Sequence, residues 1–369
     1  MARFPFTAEG GAMSERGDAF AERLFGALLG AVDMQNIYLG DRLGLYRALA
    51  DGGAATSADL AARAGIVERY AREWLEQQAV GAIVDCDDPS ATASERRYTL
   101  PAEHAGVLLD PDSQSYMAPM ARMLVAASQQ LPALMDAYRT GGGVGWSRYG
   151  PDMSEGQEAA NRPFYIASMG EWIAGALPEI DARLGEPGAK VADIGCGGGW
   201  SAISIARAYP QAEVHGFDLD EPAVERARAN AEVAKVADRV TFHAVDPGEA
   251  GPAHRYDLVT AFECIHDMPR PVPVLATMRS IVDEGGAVMV MDEGVAESFT
   301  APGDELERLM YGFSTLVCLP DGMAHPDSVG TGTVMRPATL EGYALDAGFS
   351  RIEILPIDAG FWRFYRLHT

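Results

Sequence analysis

The chain has 369 residues and carries 29 Lys and Arg against 53 Asp and Glu, a formal net charge of −24. Such acidity argues against a nucleic-acid partner, because that binding depends on cations neutralising phosphates. No apolar run approaches the about 18 residues of a membrane span, and the first residues, MARFPFTAEGG, lack the layout of a secretory signal. At roughly 150 residues per domain the length suggests two domains or one with a large extension. Four scattered cysteines (Cys86, Cys196, Cys264, Cys318) form no CxxC pair. They argue against a zinc ribbon and a disulfide framework, and they fit the reducing cytoplasm.

Residues 1–18 show no periodicity and read as a loose arm. A helical stripe then begins: Phe20, Leu24, Phe25, Leu28, Leu29 and Val32 share one face. A second helical pattern covers Arg42–Leu49. Thr56 or Ser57 can cap SADLAARAG, which Gly65 closes. VERYAREWLEQQAV follows, with Tyr70, Trp74, Leu75 and Val80 as its buried candidates. AIVDC and RRYTLP then flank a polar turn. Two helices and a hairpin read as a winged helix over residues 19–111, or as a simple helical cap with a hairpin. Residues 112–180 are helical, broken by TGGGVGWSRYGPD, and read as a linker and substrate-pocket region.

From Lys190 strands and helices alternate: KVADIG, WSAISIARAY, EVHGFDL, EPAVERARANAEVA, RVTFHAV, YDLVTAFECI, PVPVLATMRSIV, GAVMVMDE. This order predicts an α/β domain over residues 181–369. Its sheet is Rossmann-like, doubly wound and mostly parallel, with an antiparallel edge hairpin from the last two strand-like runs.

The strongest local signal is VADIGCGGGW, where a buried strand ends in Asp193 and turns through Gly195, Gly197 and Gly199 into a helix. A dinucleotide fold needs G-x-G-x-x-G, and the required sixth position is Trp200 or Ala202. A P-loop needs GK[ST], which is absent. An acid opening the loop suits a cationic ligand, and S-adenosylmethionine offers an ammonium and a sulfonium. Asp218 ends the next strand, 19 residues after Gly199, and can accept from two ribose hydroxyls. Asp246 ends the third strand and could accept from an adenine amino group.

DIGCGGG, FDLD and AVDP, spaced over three βα units, resemble the motifs of class I S-adenosylmethionine-dependent methyltransferases. The resemblance covers about residues 188–295. It implies S-adenosylmethionine as cofactor, held by Asp193, Gly195, Gly197, Gly199, Asp218, Leu219, Asp246 and Phe262. IHD at the fourth strand tip is similar to the LHDW segment of plant-type small-molecule O-methyltransferases, whose histidine is a general base. His266 would then take the acceptor's proton, with Asp267 beside it. Asp267 could equally be a plain helix N-cap. Glu293 matches the position of a carboxylate that orients the base in that family. Asp292 is the neighbouring candidate, and strand alternation should aim only one of the two at the site. Met268 stands where the plant-type segment has tryptophan, which bears on substrate class.

The whole layout also resembles actinobacterial methyltransferases with an N-terminal winged helix. The resemblance implies a homodimer paired through the N-terminal helices, so Phe20–Val32 form a candidate dimer face, unless the stripe packs on its own domain. Tyr149, Phe164, Met169, Trp172, Phe313 and Met323 are candidate lining for a flat, apolar or aromatic acceptor. No metal is expected; a two-His-one-carboxylate set of His266, Asp267 and His325 is the alternative. The leading function is O-methylation of a small molecule in secondary metabolism. The alternatives are C- or N-methylation, a cofactor-binding protein without turnover, and a winged-helix regulator. Residues 1–110 hold 10 Arg and Lys against 17 Asp and Glu, which speaks against the regulator.

Overall fold

The computed structural model describes residues 15–245 and 255–369. It divides into two compact units, one ending at Val125 and the other running Ala126–Thr369.

The first unit opens with a long helix, α1 (Glu15–Arg42). Glu15 and Asp18 sit in its first turn and Arg42 in its last, each complementing the helix dipole. Residues 15–18, expected within a loose arm, are therefore helical; the rest of the arm, 1–14, lies outside the described residues. Gly44, at φ 67°, breaks the chain before α2 (Leu45–Gly52). Thr56 caps α3 (Ser57–Ala64) with a reciprocal capping box to Asp59. α4 (Glu68–Val80), the two-residue ladder of β1 (Asp85–Cys86) and β2 (Tyr98–Thr99), and α5 (Ala102–Leu108) complete the winged-helix pattern.

The core of this unit gathers Leu45, Tyr46, Leu60, Trp74, Leu75 and Tyr98. Trp74 donates its indole N–H to the Asn36 carbonyl at 3.0 Å, fixing α4 to α1. Of the four expected buried positions on α4, Trp74 and Leu75 are buried. Tyr70 and Val80 are 75% and 90% exposed, because the helix packs along a narrower stripe than the apolar pattern suggests. The α1 stripe from Phe20 to Val32 is exposed, each of its six apolar side chains between 40% and 58%.

After α6 (Ala118–Gln129), α7 (Leu131–Thr140), a short 3-10 turn (Trp146–Tyr149), α8 (Pro151–Ala176) and α9 (Pro178–Leu184), the α/β sheet begins. Of residues 112–180, expected as a helical linker and substrate-pocket region, 126–180 fall within the second unit. Its elements are β3 (Lys190–Ile194), α10 (Trp200–Ala208), β4 (Glu213–Phe217), α11 (Glu221–Val233), β5 (Val240–His243), β6 (Tyr256–Phe262), α12 (Pro271–Ile281) and β7 (Val282–Glu293). Next come α13 (Glu305–Phe313), a π turn (Ser314–Cys318), α14 (Leu319–Met323), α15 (Pro337–Asp346), β8 (Arg351–Ile354) and β9 (Trp362–His368).

The strand order is β5-β4-β3-β6-β7-β9-β8, with the first five parallel and β8–β9 an antiparallel edge hairpin. The parallel strands are apolar on both faces because helices cover both. Val191, Met289 and Met291 join the cluster under α8 and α10, whereas Ala192, Val288 and Val290 join the one under α12 and α15. Each valine or methionine of these rows withdrawn from water contributes about 1.5–3 kcal/mol. The order reverses between β3 and β6, which opens a crevice at their carboxyl ends.

Candidate active site

The turn from Ile194 to Trp200 lies at that crevice. Gly195, Gly197 and Gly199 have φ of 68°, 49° and 79°, a conformation that side chains resist. A Cβ at Gly195 would lie 2.7 Å from Cys264 Sγ, and one at Gly199 would lie 2.5 Å from the Phe242 ring. The turn is thus pressed onto its own core from beneath. Around a Cβ at Gly197 there is open space to 4 Å, so the backbone is bare on the ligand side. Asp218 reaches across from β4 and accepts the Gly197 N–H at 2.8 Å and that of Asp220 at 2.8 Å. Burial raises Asp218 above the usual carboxylate range, against those N–H groups.

Asp193 does not face the crevice as expected. It is 1% exposed, one oxygen taking the Ser201 hydroxyl and the other that of Thr260 at 2.7 Å. Burial pushes it up to about 6 despite those two donors. It anchors the turn to α10 and β6, and any effect on a cation is through space. Leu219 is exposed at the crevice rim. Phe262 is buried, its ring 6.0 Å from Tyr165 and 6.2 Å from Phe364, so it is packing under the site rather than a contact surface. Asp246 lies outside the described residues.

Beyond β6 the chain turns at Glu263, a non-glycine residue at φ 50°. Its carboxylate accepts from Trp362 Nε1 at 2.7 Å and from the Asn161 side chain, which explains how so strained a residue is held. His266 follows, 3% exposed. Its Nδ1 lies 2.9 Å from Asp292 Oδ1, and its Nε2 lies 3.3 Å from Asp267 Oδ1. Burial opposes the imidazolium, but the two carboxylates outweigh it and hold His266 well above the usual histidine range.

The partner of His266 is therefore Asp292 and not Glu293. Along β7, Val288 and Val290 face the same side as Ile265, and Asp292 continues that row. Glu293 continues the row of Met289 and Met291 on the opposite face, opposite Trp362 in the ladder. Burial and then the Glu263 charge raise Glu293 well above its usual range, and its Oε2 has no hydrogen-bond partner among the described residues.

The expected lining residues divide. Met169 and Trp172 are buried against the sheet, Trp172 with its ring 4.9 Å from Phe364. Tyr149 is buried and its hydroxyl donates to the Leu316 carbonyl at 2.8 Å. Met169 and Trp172 fill the space between α8 and the sheet, and Tyr149 ties the 3-10 turn to the π turn. Phe164, Phe313 and Met323 are half-buried, with the Phe164 ring edge-on to Trp362 at 5.0 Å. His325 is exposed and is not in the cluster around His266; Cys318 is. Sequence reasoning missed Cys318 and Glu263. Nothing marks Cys318 along the chain, and Glu263 is marked only by standing two residues before the IHD segment.

Comparison with known proteins agrees with this architecture. A family model described as "Methyltransferase domain" matches residues 186–317, and one described as "Rv2258c-like winged HTH domain" matches residues 31–109. The chain is 32% identical over 181 residues to the ubiquinone biosynthesis O-methyltransferase of Aromatoleum aromaticum, covering 48% of this chain and 71% of that protein. It is 32% identical over 162 residues to the 27-O-demethylrifamycin SV methyltransferase of Amycolatopsis mediterranei, covering 43% of this chain and 57% of that one. In fold it is similar to the mitomycin 7-O-methyltransferase MmcR (TM-score 0.71, 20% identity, 96% of this chain and 99% of that one). It is also similar to human N-acetylserotonin methyltransferase in complex with S-adenosylmethionine (TM-score 0.70, 17% identity, 98% of this chain and 99% of that one).

The bare backbone at Gly197, the carboxylate of Asp218 at the neighbouring strand tip and the crevice between β3 and β6 fit S-adenosylmethionine. The chain belongs to the S-adenosylmethionine-dependent O-methyltransferase family, with a winged-helix domain ahead of its methyltransferase domain.

Proposed function

We propose that the protein methylates the hydroxyl of a small, aromatic or otherwise apolar acceptor, and that His266 receives the hydroxyl proton. When bound, S-adenosylmethionine supplies a methyl group on a cationic sulfur. The glycine turn and Asp218 hold the donor. The observation that carries the reading is the His266–Asp292 pair, buried at the strand tip that follows β6 beside the turn. Asp292 accepts from Nδ1 and fixes the ring, and once Asp267 moves away the larger of the two charges that hold the imidazolium is gone and Nε2 becomes the basic atom. Asp267 lies over Nε2 and is 26% exposed, so an entering acceptor can displace it. Holding donor and acceptor in line supplies much of the remaining rate.

Phe164, Phe313 and Met323 offer apolar surface to the acceptor. The α1 stripe pairs two protomers: six exposed apolar side chains on one face of a 28-residue helix suit self-association. A cytoplasmic location is supported by four free cysteines. A place in secondary metabolism is supported by the likeness to the rifamycin enzyme. No helix among the described residues is long and apolar enough to cross a membrane.

Incubation with methyl-labelled S-adenosylmethionine and a panel of phenols, amines and carbon nucleophiles tests the reading. Label should appear as methyl ethers of phenols. Label confined to nitrogen or carbon products refutes it.

A further inference from the structure

One cluster in the second unit brings three different metal-ligand chemistries to a point. A ring nitrogen of His266, a carboxylate oxygen of Asp267 and Cys318 Sγ all lie within 4.8 Å of one another. His266 and Asp267 come from the segment after β6. Cys318 arrives independently, as the last residue of the π turn Ser314–Cys318, a helical irregularity often found at functional sites.

A second observation concerns how the histidine is held. Its Nδ1 is taken by Asp292 at 2.9 Å, which turns Nε2 toward Asp267 Oδ1 at 3.3 Å. That oxygen is buried and accepts no hydrogen bond among the described residues. A proton shared between the two holds them at this distance, and a metal ion can take its place. A carboxylate behind the far ring nitrogen is the usual support of a metal-bound histidine.

We infer that His266, Asp267 and Cys318 form a site for a soft divalent cation of the zinc class, and that filling it inhibits methyl transfer. A thiolate–imidazole–carboxylate set selects zinc over magnesium and calcium, which take oxygen ligands. Tetrahedral donors at zinc lie about 3.5 Å apart, so the cluster closes by small side-chain rotations. The charges balance: Cys318 gives its thiol proton to solvent, and thiolate and carboxylate together neutralise the cation around a neutral imidazole. Asp267 is 26% exposed and Cys318 half-buried, so the cluster is reached once the Asp267 side chain swings aside. The inhibition rests on the reading above, since a lone pair donated to metal cannot take an acceptor's proton. The metal site itself does not rest on it.

The test titrates the full-length, metal-free protein with cobalt(II) as a spectroscopic substitute for zinc. One equivalent should bind with a thiolate-to-cobalt charge-transfer band that zinc displaces. Cys318→Ser should abolish the band and, relative to its own zinc-free rate, lower zinc sensitivity by at least about tenfold. A wild-type spectrum without a thiolate band overturns the site. So does a band that survives in Cys318→Ser, which places the metal on another cysteine. Zinc that displaces the band yet leaves turnover intact refutes the inhibition.

Discussion

Asp292 Oδ1 lies 2.9 Å from His266 Nδ1, while Glu293, one residue further along the same strand, faces the other side of the sheet beside Glu263. One residue of register decides which carboxylate serves the histidine. Asp292→Asn should therefore lower kcat by about 10²-fold or more, because the amide no longer fixes the imidazole tautomer. Glu293→Gln should leave kcat close to wild type. Steady-state rates of the two variants with one acceptor check the order; the reverse order contradicts the assignment.

The glycine turn gives a second expectation. Gly195 combines a φ of 68° with a site where a Cβ would meet Cys264 Sγ at 2.7 Å. Gly195→Ala should cost about 1–3 kcal/mol of stability and weaken S-adenosylhomocysteine binding as the turn shifts. Thermal unfolding with and without that ligand measures both. An unchanged midpoint and affinity would show the turn to be slack.

Asp193 yields a pH dependence. Its folded pKa, pushed up by burial to about 6, lies above the unfolded value. A carboxyl raised by folding favours the folded state when protonated. Its contribution is present below the unfolded pKa and is lost as pH rises through about 6, up to about 3 kcal/mol in all. Asp193→Asn removes the titration. Urea unfolding from acid to neutral pH should show wild type losing ground to the variant over that window. Parallel curves would mean that Asp193 ionises without penalty.

The exposed α1 stripe makes an expectation about assembly. Leu24 and Leu28 are 52% and 58% exposed on one helix face. Leu24→Glu/Leu28→Glu should convert a dimer to a monomer in light scattering and leave the fold unchanged by circular dichroism. A dimer that survives the double substitution moves the interface elsewhere.

Much of the α/β unit was legible in the sequence because its signals are local. Buried parallel strands read as continuous apolar runs, and each strand tip carried its own marker in Asp193, Asp218 or His266. What escaped depends on packing between distant segments. Asp193 turns inward because Ser201 and Thr260 supply hydroxyls from α10 and β6, and nothing near Asp193 shows that. Asp292 and Glu293 are equivalent in sequence until strand parity is fixed by the flanking core. Met169 and Trp172 are apolar pocket candidates by composition and core residues by position, since helical periodicity does not say whether a facing surface is sheet or ligand. Cys318 reaches His266 across 52 residues of chain, through a π turn no pattern announces.

The most direct measurement is single-turnover methyl transfer by wild type and His266→Ala at equal S-adenosylmethionine occupancy, with the best phenolic acceptor. The account expects unchanged donor affinity and a transfer rate lowered by about 10²–10⁴-fold. A variant that transfers methyl at the wild-type rate would leave donor and acceptor alignment alone as the source of catalysis and contradict the role given to His266.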